Sequence, residues 1–134
     1  SRWERDFDNS RFFRLIDLYI FNPDAIVINL GENFKSSESK EAIINHLENL
    51  HFDITSNTQA KVFYVDDFYN VEKVNNAFLE FQYRHNINLV RVGNMIEGKY
   101  RALKHENFGV STHPNDLGHE LIAKRIIKKM IDKK

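Results

Sequence analysis

Three short apolar runs, separated by stretches of helical periodicity, constrain the fold of this chain more than any other feature. They are Ala25–Leu30 (AIVINL), Lys61–Val65 (KVFYV) and Asn88–Val92 (NLVRV). The first is nearly unbroken and reads as a strand covered on both faces, and the other two read as the strands that follow it. Residues 10–21 place Phe12, Leu15, Ile16 and Tyr19 on one helical face, with Asn9 or Ser10 as the cap and Pro23 as the stop. A second helix is expected from about Ser37 to Leu50, turning Ile43, Leu47 and Leu50 inward. A third follows a cap at Asn70 and carries Val71, Val74, Phe78 and Phe81 at i, i+3, i+7 and i+10. The last runs from near Asn115 or Asp116 to about Ile131. Strand and helix in alternation imply right-handed crossovers and a parallel sheet with helices on both faces, so the class is α/β. Three strands make a thin sheet for that architecture.

Composition narrows the rest. At 134 residues and 15.9 kDa the chain holds one domain or part of one. Its 42% hydrophobic and 28% charged residues are too apolar for a disordered chain. No run approaches the ~20 apolar residues of a membrane-spanning helix. Nineteen basic residues balance nineteen acidic ones, which argues against nucleic acid as the main partner. The absence of cysteine excludes a disulfide scaffold, a thiolate zinc site and a cysteine nucleophile together. The chain begins Ser1-Arg2-Trp3-Glu4, without an initiator Met or a signal-peptide pattern. Residues 1–134 are therefore expected to be a single partial domain, excised or processed from a longer protein. A signal peptide further upstream would place that protein in the periplasm or outside the cell.

Ligands of open α/β sheets collect beyond the carboxyl ends of the strands. Gly31-Glu32-Asn33 follows the first strand at that end. Glycine there lets the backbone turn sharply, and the Asn33 amide can face a developing oxyanion. Taken alone, the same triplet reads as a plain turn. The second candidate opens the last helix: Gly109-Val110-Ser111-Thr112-His113-Pro114-Asn115-Asp116-Leu117-Gly118-His119. His113 can serve as general base for a hydroxyl nucleophile, Pro114 suits the helix entry, and Asn115 or Asp116 can cap it. A lone His in this position is also an ordinary loop or cap residue.

Taken together, PDAIVINLGEN and, about eighty residues later, STHPNDLGHELIAKRI resemble the SGNH (GDSL-type) hydrolase family, as its C-terminal portion. The first segment corresponds to the third signature block, Gly-x-Asn-Asp, and the second to the fifth, Asp-x-x-His-Pro. The start at Trp3-Glu4 is similar to the stretch before block three in bacterial members that read GEN. The resemblance implies a three-layer, flavodoxin-like fold lacking here the N-terminal strands that carry the nucleophile. It implies that His113 is the general base and Asn33 an oxyanion donor, with Gly31 permitting the turn. It implies no metal or organic cofactor, and as substrate a small ester or acylated carbohydrate, carbohydrate O-acyl groups being favoured. Three departures stand out. The nucleophilic Ser block has no counterpart, Val110 occupies the position of the family's acid, and Glu32 and Phe34 replace Thr and Asp. A backbone carbonyl would then orient the imidazole. Glu32 can contact a polar substrate or be a solvated loop carboxylate.

The remaining candidates read as structural. Asp66-Asp67 lies on the ligand-side rim, where a loop or helix-entry role is favoured over metal binding. His46, His51, His85 and His105 share no metal-ligand spacing. His119 is placed to pack against the site or cap the helix turn. Lys124, Arg125, Lys128, Lys129, Lys133 and Lys134 suit a helix C-terminus. If the three strands are the third to fifth of a flavodoxin-like sheet, the apolar edge of Ala25–Leu30 requires a cover. The upstream segment of the same protein or self-association is expected to supply it. The rival to an esterase is a non-catalytic module of the same fold that binds a glycan or a protein.

Overall fold

The computed structural model describes residues 21–34, 37–94, 98–102 and 108–132. It is a mixed α/β structure in which strands β1 (Ala25–Asn29), β2 (Lys61–Val65) and β3 (Asn88–Val90) form one parallel sheet in the order β1-β2-β3. Register is continuous, with Ala25 opposite Lys61 and Asn29 opposite Val65, then Phe63 opposite Asn88 and Val65 opposite Val90. Helix α1 (Lys40–Asn57) connects β1 to β2, and α2 (Glu72–His85) connects β2 to β3. A single turn, α3 (Phe108–Ser111), precedes α4 (Asp116–Ile131). No helix among the described residues is long and apolar enough to cross a membrane. The expected helix over residues 10–21 lies outside the described residues apart from Phe21, as do His105, Lys133 and Lys134. After Phe21, Asn22 takes a φ of 39°, the left-handed conformation that suits a helix end, directly before Pro23.

Alternation along β2 divides the interior into two cores. Val62 and Tyr64 face α1 and α2, joining Ile43, Ile44, Leu47, Leu50, Val74, Phe78 and Phe81 in one large cluster. Val65, with Val90 and Val92, faces α4 and joins Phe68 and Ile122 in a smaller one. The sheet therefore lies between α1 and α2 on one face and α4 on the other.

The structure moves several expected boundaries. Helix α1 begins at Lys40, where the Ser39 hydroxyl accepts from Ala42 N at 3.1 Å, and continues to Asn57 rather than Leu50. Buried Ile54 extends the inward stripe. The Thr55 hydroxyl and the Asn57 amide donate to the carbonyls of His51 and Asp53, so residues with poor helix propensity still satisfy the final turns. Asn70 does not cap α2. It sits at φ 59°, its side chain accepts from Asn75 Nδ2, and the Asp67 carboxylate takes Val71 N instead. Strand β3 ends at Val90, not Val92, because the Asp66 carboxylate takes Val92 N and Gly93 N. Along strand β1 the faces differ among the described residues: Ile28 is buried, whereas Val27 is 40% exposed.

Candidate active site

Gly31, Glu32 and Asn33 follow the carboxyl end of β1, and His113, at the entry to α4, meets Tyr69 in the loop after β2. At the end of β1, Gly31–Asn33 forms one 3₁₀ turn, with Asn33 N donating to Leu30 O at 3.0 Å. Gly31 is buried against the next strand end. A Cβ there would lie 2.8 Å from Asp67 N and 2.9 Å from Asp67 Cα, so only glycine lets the turn rest on β2. Phe34, which stands where the resemblance places an acid, is buried instead and meets Phe78 edge-on at 6.3 Å. It anchors the turn in the large core. The Asn33 side chain donates at 3.5 Å to Leu30 O, which leaves its second amide hydrogen for a ligand. Glu32 is exposed.

The loop after β2 is held by buried polar groups. Asp66 is 1% exposed, and besides Val92 N and Gly93 N it binds Arg91 Nε at 2.5 Å. Asp67 accepts from Tyr69 N at 3.0 Å and Val71 N at 2.7 Å, and its own N donates to Asn75 Oδ1. Burial pushes the Asp67 carboxyl up. The two backbone donors oppose this, neighbouring Asp66 adds to it, and Arg101 opposes it again. The pair therefore fastens the loop and the entry to α2, as its rim position suggested. Among the described residues, no group of three or more His, Asp or Glu can hold a metal ion.

His113 enters from the third side. Its segment is pinned where Ala102 N donates to His113 O, His113 N donates to Val110 O, and Arg101 bridges Pro114 in antiparallel fashion. Asn115 then organises the helix start. Its Oδ1 accepts from Gly118 N, and its Nδ2 donates to Lys99 O at 2.7 Å and Arg101 O at 3.0 Å. Gly118 is needed because a Cβ would strike Tyr100 O. His119 lies exposed in the first turn of α4, its backbone N donating to Asn115 O at 2.8 Å.

The imidazole of His113 is exposed, and its Nδ1 lies 3.0 Å from Tyr69 Oη, the two rings edge to face at 5.8 Å. Its orienting partner is thus a side-chain hydroxyl rather than the expected backbone carbonyl. Val110 is 40% exposed and supplies only its carbonyl, to His113 N. Nε2 has no hydrogen-bond partner among the described residues. Tyr69 also hydrogen-bonds Thr112, and its hydroxyl is pushed up by burial, then by the nearby carboxylates of Glu32 and Asp67, against the pull of Thr112 and Arg101.

Tyr69 therefore lies beside His113, and the loop that carries it, on which Gly31 rests at Asp67, joins the two segments that the sequence singled out eighty residues apart. Sequence reasoning missed this residue. The available signal was its place, two positions beyond Asp67 on the ligand-side loop of the central strand. Compared with known proteins, the chain matches no family model and no curated protein sequence.

Proposed function

We propose that this chain is the C-terminal part of an SGNH-type ester hydrolase with a three-layer, flavodoxin-like fold. In this reading β1, β2 and β3 are the third to fifth strands of that sheet, and an upstream segment brings a nucleophilic Ser to the free side of β1. One observation carries the reading: the Gly31–Asn33 turn and His113, far apart in sequence, meet the same loop after β2, Gly31 against Asp67 and His113 bonded to Tyr69. A general base and an amide donor at the carboxyl end of one sheet are what acyl transfer requires.

The upstream Ser Oγ attacks the ester carbonyl while His113 Nε2 takes its proton. The second amide hydrogen of Asn33 meets the tetrahedral oxyanion. Collapse expels the alcohol, protonated by His113, and a water activated by the same nitrogen releases the acid. The substrate class is a small ester, with O-acyl carbohydrate favoured. The test is hydrolysis of p-nitrophenyl acetate and an O-acetylated sugar by the full-length protein. His113→Ala is expected to lose about 10³-fold or more in kcat/KM and Asn33→Ala about 10²-fold. Equal hydrolysis by the parent and His113→Ala would overturn the reading. Val110, in the place of an acid, favours a second reading, a glycan-binding module. Glycan binding without turnover would select it.

A further inference from the structure

The absent acid leaves a mechanistic gap that the geometry fills. A general-base imidazole needs its proximal nitrogen protonated and anchored, so that the distal nitrogen keeps a free lone pair. In His113 the anchored nitrogen is Nδ1, and the anchor is Tyr69 Oη at 3.0 Å. Thr112, immediately before His113 in sequence, provides the second partner of the Tyr69 hydroxyl.

We propose that Tyr69 is the positioning residue of this site, replacing the acid missing at Val110. Its oxygen accepts Nδ1–H from His113, and Nε2 is left as the basic nitrogen. The inference rests on the ester-hydrolase reading for its role in turnover, but not for the hydrogen bond itself. Tyr69 is held for this task from both directions. Its backbone N is fastened by the Asp67 carboxylate, and its ring meets the His113 ring edge to face. The charged groups that act on its hydroxyl are Glu32, Asp67 and Arg101. Burial, and after it the two carboxylates, disfavour phenolate, so Tyr69 orients the imidazole as a neutral hydroxyl.

The test reads the imidazole directly. Long-range ¹H–¹⁵N correlation spectra of the full-length protein, with His113 assigned through His113→Gln, should show the neutral ring mainly as the Nδ1–H tautomer. Tyr69→Phe keeps the aromatic contact and removes the oxygen. It should shift the ring toward Nε2–H and slow labelling of the nucleophile by a fluorophosphonate about 10- to 100-fold. Thr112→Val, which leaves the tyrosine in place, should move both readouts in the same direction by less. An unchanged tautomer in Tyr69→Phe and Thr112→Val would overturn the proposal. Should the tautomer shift while no serine is labelled in any form, the positioning role stands and the hydrolase reading fails. Labelling with an unshifted tautomer means the reverse.

Discussion

The two faces of the sheet are built from different materials. Against α1 and α2 the interior is apolar and closed, with Ile43, Ile44, Leu47, Leu50, Ala77 and Phe81 all at 0% exposure. Against α4 it is thin: Gly118 and Ile122 are that helix's only buried residues, and Leu117, Ile127 and Met130 stay exposed. What fixes the strand ends and the α4 entry is hydrogen bonding by Asp66, Asp67, Asn75 and Asn115. One face supplies cohesion, which is non-directional and tolerant of small shifts. The rim supplies directed contacts, which position an imidazole to fractions of an ångström but contribute less net stability each.

The contrast can be broken from either side. Phe81→Ala opens the large core beside Tyr64 and His51 and should cost about 3–5 kcal/mol, read by chemical denaturation. Asp66→Ala removes no apolar contact, yet it strands Val92 N and Gly93 N and frees Arg91. It should cost about 2–4 kcal/mol. A loss under about 0.5 kcal/mol would mean that water substitutes freely at this rim.

Gly31→Ala should separate function from stability. The added methyl pushes the turn off Asp66 and Asp67, at about 1–3 kcal/mol, while ester hydrolysis falls by more than that loss of folded protein explains. Asn115→Ala should cost about 1 kcal/mol as a lost cap, and it also releases Lys99 O and Arg101 O beside the His113 segment. The smallest effect belongs to the apolar side. His51 is bonded to Tyr64 Oη at 3.0 Å, and burial, followed by neighbouring His85, lowers its pKa. The folded state then binds fewer protons than the unfolded chain below the ordinary value of 6.5. This contribution is complete above that pH and is lost as pH falls toward the depressed folded value. Denaturation midpoints should therefore drop less on acidification in His51→Gln than in the parent chain.

The same division explains what could be read from the sequence. Apolar periodicity reports burial, so β2 (Lys61–Val65) and the inward positions of α1 and α2 were legible, as was α4, whose Asn115 cap is a local signal. Contacts between side chains and distant backbone leave no periodic trace. The end of β3 depends on Asp66, twenty-four residues before Val90. The entry to α2 depends on Asp67 rather than on adjacent Asn70. The exposure of Val27 on β1 was hidden because an apolar run looks alike whether one face or two are covered. At the site, Gly31, Asn33 and His113 were recognisable as residue types in suggestive settings, and in the fold Gly31 rests on Asp67 while His113 bonds Tyr69 in the same loop. Tyr69 was not recognisable, since a tyrosine in a loop acquires meaning only from the imidazole that folding brings beside it.

The central claim is that this rim performs Ser–His acyl chemistry. Its most direct test is fluorophosphonate labelling of the full-length protein, mapped by peptide mass spectrometry, beside His113→Ala. The account expects label on one serine upstream of residue 1, lost in the variant. Absence of label in both proteins would contradict it.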